Sequence, residues 1–203
     1  MWVYIGTSEL KNAYIGEYDF AKYQEVEYIE STGTQYLVIW NSFSTDYKVE
    51  IDVQLTATWG DQLLFWCTQS YRFWINAYNS YFRTITGGSS WSNTKSEDAN
   101  RHKFIMDKGT TYVDGTSYSS SYVSYTYNFW LWLFDYNRID WGSRFPAKEK
   151  LFSCKIYNWS TILYDLVPCY RKSDWVIWLY DLVNNTFYTN SWTWTFTKWP
   201  DVN

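Results

Sequence analysis

Lys48-Val49-Glu50-Ile51-Asp52-Val53-Gln54-Leu55 alternates polar and apolar residues without a break. Successive side chains of an extended strand point to opposite faces. The pattern therefore turns Val49, Ile51, Val53 and Leu55 toward a core and Glu50, Asp52 and Gln54 away from it. Working outward, Leu63–Cys67, Tyr71–Tyr78, His102–Asp107, Thr111–Val113, Tyr127–Phe134, Leu151–Tyr157, Ile162–Val167, Val176–Tyr180 and Thr186–Thr189 are short and rich in β-branched and aromatic residues. Turn signals part them at Gly87-Gly88-Ser89-Ser90, Asp107-Lys108-Gly109, Asp114-Gly115 and Pro146. Many short strands at regular spacing predict an all-β, antiparallel two-sheet sandwich or barrel. Val49, Ile51, Val53, Leu133, Ile156, Val167 and Leu179 are its expected core. Helical periodicity is confined to Gln24–Ser31 and Ala147–Leu151, each enough for a turn of helix. Thr86 to Asn100 reads as a long loop and Ser117–Ser124 as a second polar patch.

Residues 1–22 carry a near-repeat, Tyr4-Ile5-Gly6 and Tyr14-Ile15-Gly16, and read as a short hairpin or connector before a domain at 23–203. The formal charge of −4 comes without a basic stripe, which argues against a nucleic-acid partner held through its phosphates. Apolar runs such as Phe129 to Phe134 fall far short of the ~20 residues that span a bilayer, so no membrane insertion is expected. No basic and apolar leader follows Met1, so no secretory signal is visible. Cys67, Cys154 and Cys169 are odd in number and lack metal-type spacing. They read as small buried hydrophobes, with a single Cys154–Cys169 bridge as the alternative.

Glycine is scarce, at 9 residues, while tryptophan reaches 15. Asp140-Trp141, Asn158-Trp159 and Asp174-Trp175 stand between strand-like runs, where Asp-Gly or Asn-Gly is the expected hairpin dipeptide. A type I′ turn needs φ > 0 at both central positions, which strains a residue bearing a Cβ by roughly 1–2 kcal/mol. Trp66, Trp74, Trp130, Trp178, Trp192, Trp194 and Trp199 have similar small-residue or turn-edge neighbours. Many of these tryptophans therefore read as ancestral glycines. A UGA codon that means glycine, translated as tryptophan, would produce the pattern; a Trp-rich aromatic sandwich is the alternative. On the glycine reading, Trp159 and Trp175 belong at exposed turns with φ > 0.

Two stretches carry a resemblance. Val26-Glu27-Tyr28-Ile29-Glu30-Ser31-Thr32-Gly33-Thr34-Gln35-Tyr36 resembles the opening strand of the laminin G-like, concanavalin A-like jelly-roll family of phage structural and bacterial surface proteins. The segment from Leu163 through Val202 is similar to that family's closing strands, including Leu163-Tyr-Asp-Leu-Val-Pro168-Cys169-Tyr170-Arg171 and Leu179-Tyr180-Asp181-Leu182-Val183-Asn184-Asn185. Lys155-Ile156-Tyr157 and Arg72-Phe73 fall in family-like places between them. The likeness spans about residues 24–203 and is loose in the middle. Members carry glycine where this chain has Trp40, Trp159, Trp178, Trp192, Trp194 and Trp199. Val38 and Ile39 stand where an Asp-Thr pair is usual, which removes a polar role from that strand end. The resemblance implies a jelly roll used for adhesion, glycan recognition or particle architecture.

Chemistry is sparse. Glu50-Ile51-Asp52-Val53-Gln54 is similar to the acidic strand of some jelly-roll glycoside hydrolases. Retaining hydrolysis needs two carboxyl groups about 5–5.5 Å apart, and Gln54 cannot donate and retrieve a proton. The solvent face of a half-buried strand explains the same pattern, so no catalytic residue is assigned. His102, between Arg101 and Lys103, has no nucleophile elbow nearby in sequence and reads as a solvated loop or strand-edge residue. Asp107, Asp114 and Asp135 could contribute to a loop-end Ca²⁺ site of the kind some laminin G-like domains carry, but their spacing defines none. No metal or cofactor is assigned.

Sugar recognition pairs a flat aromatic face with a few fixed polar groups. Alternation places Arg72, Asn76 and Tyr78 on one face, and Asn79, Tyr81 and Arg83 follow directly. The competing reading is an ordinary solvent-facing strand. The expected role is a non-enzymatic attachment or assembly module of a phage tail or fibre-like protein or a bacterial surface protein. A glycan-binding, lectin-like receptor reader is the alternative, and a relic glycoside hydrolase the remote one. The expected partner is a surface glycan or another structural protein.

Overall fold

The computed structural model describes residues 23–39, 42–67, 72–128, 130–135, 145–191 and 195–202. The connector expected at 1–22 lies outside them, as do Trp40, Trp141, Trp192 and Trp194.

The chain forms two antiparallel sheets, and no helix occurs among the described residues. The larger sheet runs in the spatial order β11 (Thr116–Ser119), β10 (Thr110–Val113), β9 (Arg101–Asp107), β4 (Lys48–Leu55), β14 (Lys148–Asn158), β1 (Tyr23–Thr32), β15 (Thr161–Arg171), β16 (Ile177–Asp181) and β17 (Thr186–Tyr188). A tenth strand, β18 (Thr197–Asp201), pairs with β1. The smaller sheet is β2 (Leu37–Ile39), β13 (Leu131–Leu133), β5 (Gln62–Cys67), β6 (Arg72–Tyr78), β7 (Tyr81–Gly88) and β8 (Ser92–Ser96). A ribbon of β3 (Ser42–Ser44) and β12 (Thr126–Asn128) stands apart.

β4 keeps its sequence alternation in space. Val49, Ile51, Val53 and Leu55 are buried, and Glu50, Asp52 and Gln54 lie on the outer face. The inner face meets Phe65, Phe73, Ile75 and Phe82 of the other sheet in one hydrophobic core. Leu133, Ile156 and Leu179 join it as expected, but Val167 does not. It points outward and packs half-buried beside Cys169 and Tyr180.

The two stretches with helical periodicity are strands. Gln24–Ser31 lies within β1, where Ile29 pairs with Leu151 and with Lys198 on opposite edges. Ala147–Leu151 runs into the start of β14. Cross-strand pairing outweighs a weak local preference here. Phe152 is an extra residue in β14, since Leu151 pairs with Val53 and Ser153 with Asp52. This bulge lets Leu151 and Cys154, three apart, both face the core. The Thr86–Asn100 loop contains the end of β7 and all of β8. Ser92-Asn93-Thr94-Lys95-Ser96 buries only Thr94, so it carries no apolar alternation to read.

The cysteines are buried and free. Cys154 faces the inter-sheet core while Cys169 packs on the outer face with Tyr23 and Tyr180, so the alternative bridge is excluded by geometry. Burial pushes all three thiols up, Cys169 to about 12, which leaves them without thiolate reactivity.

The tryptophans divide. Trp159 has φ 56° and is 78% exposed; Trp175 has φ 61° and is 65% exposed. The turn types differ from the expected I′. Asn158 pairs with Thr161, so Trp159-Ser160 is the central dipeptide, and positive φ at the first position alone makes a type II′ turn. Trp175 closes a longer loop, its N–H donating to the Arg171 carbonyl at 2.8 Å, and its ring stacks on Tyr170. Trp66 and Trp74, by contrast, are buried in mid-strand, which corrects their assignment to turn edges. Trp66 pairs with Trp74 on one side and Trp132 on the other, forming a ladder on the outer face of the smaller sheet. Half-buried Trp130 packs against that ladder, and Trp178 packs beside Phe187 in β16.

Candidate functional site

The β6–β7 hairpin turns through Asn79 and Ser80, with φ of 51° and 66°. Positive φ at both positions makes it type I′, whose second position is ordinarily glycine. Lys108-Gly109 and Asp114-Gly115 meet that demand in the two neighbouring hairpins. Here a serine holds the strained position, and the Ser80 carbonyl accepts the Glu97 N–H at 3.0 Å. Facing the turn is the β4–β5 loop, bent at Gly60 with φ +89°.

Between turn and loop lies an open cleft of about 350 Å³, lined by Thr58, Trp59, Gly60, Asp61, Tyr78, Asn79, Ser80 and Glu97. Trp59 is 70% exposed, with the Lys148 Nζ 4.4 Å from its ring centre. Tyr78 is 41% exposed, and the Arg83 guanidinium lies 4.3 Å from its ring centre. Arg83 is itself fixed by donating from Nε to the Asn93 Oδ1 at 3.0 Å. Asp61 accepts from the Asn76 Nδ2 at 3.1 Å. Burial raises the Asp61 carboxyl above its ordinary range, against the Asn76 hydrogen bond and the Arg83 charge, which hold it down. Burial also raises Glu97, whose Oε1 is shielded from water and has no hydrogen-bond partner among the described residues.

The expected glycan residues meet different fates. Tyr78 and Asn79 line the cleft, and Tyr81, directly opposite Tyr78, is exposed beside it. Arg83 braces Tyr78, and Asn76 is buried beneath, holding Asp61. Arg72 stands at the far end of β6, roughly 20 Å away at about 3.3 Å per residue, and does not belong to the group. Sequence reading missed Trp59, Asp61, Ser80 and Glu97. The turn signal Trp59-Gly60-Asp61 was available, but nothing local shows which turn it faces.

The other candidates are committed elsewhere. Glu50 pairs with Lys48 at 2.8 Å and Lys103 at 3.1 Å. Arg101 reaches both oxygens of Asp52, at 2.8 and 2.9 Å, and Gln54 donates to the Ala99 carbonyl. His102 is not solvated. It shares the inner face of β9 with Phe104 and Met106, and both ring nitrogens meet carboxylates, Asp114 at 2.7 Å and Asp98 at 2.8 Å. Arg101 and Lys103 misled because alternation sends them outward. Asp135 is buried and accepts the Phe145 N–H. Asp107 lines a second cleft with Asp46, Lys48, Lys108, Trp159 and Ser160. Among the described residues no three acidic, His or Cys side chains gather as a metal site. No helix among them is long and apolar enough to cross a membrane.

No known protein family matches the chain, and no curated protein matches it.

Proposed function

We propose that the chain is a non-enzymatic attachment module that recognises carbohydrate through the Trp59–Tyr78 cleft, serving a phage tail or fibre-like protein or a bacterial surface protein. The observation that carries this reading is Trp59, a flat indole left 70% exposed beside the half-buried Asp61 carboxylate, which Asn76 anchors. Exposed apolar surface is costly unless something covers it. A ring face with a fixed polar group alongside is the chemistry that stacks and orients a pyranose. The jelly-roll resemblance at both ends of the chain supports the same use.

The test is a glycan array probed with the parent chain and with Trp59→Ala, alongside an assay for released reducing sugar. Retention of a glycan by the parent, its loss on Trp59→Ala and no sugar release are expected. Silence of the parent across the array overturns the reading and leaves assembly as the role.

A further inference from the structure

We infer that Arg83 makes the protein selective for acidic sugars, its guanidinium receiving a ligand carboxylate at the rim of the cleft. The inference rests on the carbohydrate reading and names the class of ligand. Arg83 shares the outer face of the smaller sheet with Ile85, in register with Asn76 on one side and Asn93 on the other. Tyr78 follows Asn76 by two residues and Trp91 precedes Asn93 by two, so the antiparallel strands set the two rings on opposite sides of Arg83. Its guanidinium carbon lies 4.3 Å from the Tyr78 ring centre and 5.6 Å from that of Trp91. Nε donates to the Asn93 Oδ1 at 3.0 Å. The rings and the amide thus hold the side chain that a surface arginine ordinarily leaves mobile.

One edge of the group is left over. Neither terminal nitrogen has an acceptor among the described residues, and no ion pair there engages Arg83. Asp61 feels its charge but is held by Asn76 instead. Two parallel N–H groups on a planar fork match the two oxygens of a carboxylate. Because the fork is already fixed, binding orders little that was free. Tyr78 serves twice, as a wall of the cleft and as a support of Arg83, so the charge site adjoins the cleft. Asp61 and Glu97 line the cleft and repel an anion from it, while Arg83 lies outside that lining. An acidic sugar is thereby oriented, with its carboxylate toward Arg83. A neutral sugar leaves the fork unfilled.

The experiment is calorimetric titration of the full chain at neutral pH with trigalacturonate and sialyllactose, each beside its own methyl ester. Esterification removes the charge, keeps the sugar and needs no variant to fold. Binding of at least one acid about tenfold more tightly than its ester is expected. That preference should vanish in Arg83→Gln, whose folding is checked by its denaturation midpoint. It should shrink in Trp91→Ala, which releases one side of the guanidinium. An ester that binds as tightly as its acid overturns the inference and keeps the carbohydrate reading, as does a chain that retains only neutral glycans of the array. A preference that survives Arg83→Gln also overturns it. Binding of no glycan here or on the array overturns both readings.

Discussion

Trp66, in the middle of the smaller sheet, and Trp159, at the β14–β15 turn, show one residue type in two opposite settings. Trp66 lies between Trp74 and Trp132 in direct register, almost withdrawn from water. Trp159 takes a left-handed conformation that a Cβ disfavours, and its indole stands in solvent with Lys108 3.8 Å from the ring centre. The first gains from its full apolar area. The second keeps little of that gain and bears backbone strain. A count of tryptophans against glycines merges the two; backbone dihedrals separate them. The positive φ and exposure expected of turn tryptophans are present at Trp159 and Trp175 and absent from the ladder.

The comparison can be broken most easily from the ladder side. Trp66→Ala should destabilise the fold by roughly 3–5 kcal/mol, as the loss of a buried aromatic does. Urea denaturation measures it, and a loss below about 1 kcal/mol would place Trp66 with the turn residues after all.

Burial by itself does not make an interior residue stabilising, and Glu149 sharpens the point. It sits on β14 fully buried, its Oε2 unpartnered among the described residues, and burial raises its carboxyl well above 4.5. Its folded pKa exceeds its unfolded one, so folding takes up a proton between the two. Stability from this group is therefore complete below about pH 4.5 and declines as pH rises toward the folded value. Glu149→Gln should denature later than the parent at neutral pH, with a gap that closes on acidification. A constant gap from pH 4 to 8 would refute this account.

The smallest effect is expected at the turns. Trp159→Gly should leave stability unchanged or raise it by about 1 kcal/mol, because relief of strain offsets the freer unfolded chain. Trp175→Gly should gain less, since it also gives up the stack on Tyr170. Destabilisation of several kcal/mol by the Trp159 change would sink the distinction. UGG at both codons would remove the recoding explanation and leave the strain unexplained.

The faces of β4 were legible because one face is buried and the period is two. β8 was not, being a polar edge strand that packs a single threonine. His102 was misread because its carboxylate partners come from a loop and a hairpin turn that only folding brings together. The cleft fails to show in sequence for the same reason. Tyr78 and Asn79 were visible on one strand end, but Asp61 and Glu97 reach them from separate connections. Turn signals located the hairpins, yet the central dipeptide at β14–β15 fell one residue later than Asn-Trp suggested.

The pairing of β1 with β18 bears on how the molecule carries load. Val26 pairs with Asp201, so Tyr23 and Asp201 lie at the same end of the larger sheet. Leu55 and Thr32 pair with Glu149 and Lys148 at the other end, from which the chain enters the loop that forms the cleft. Tension between the cleft loop and either Tyr23 or Asp201 therefore runs along the strands and must shear many hydrogen bonds together. Tension between Tyr23 and Asp201 themselves opens the pair one bond at a time. The sandwich grips in one direction of pull and unzips in the other.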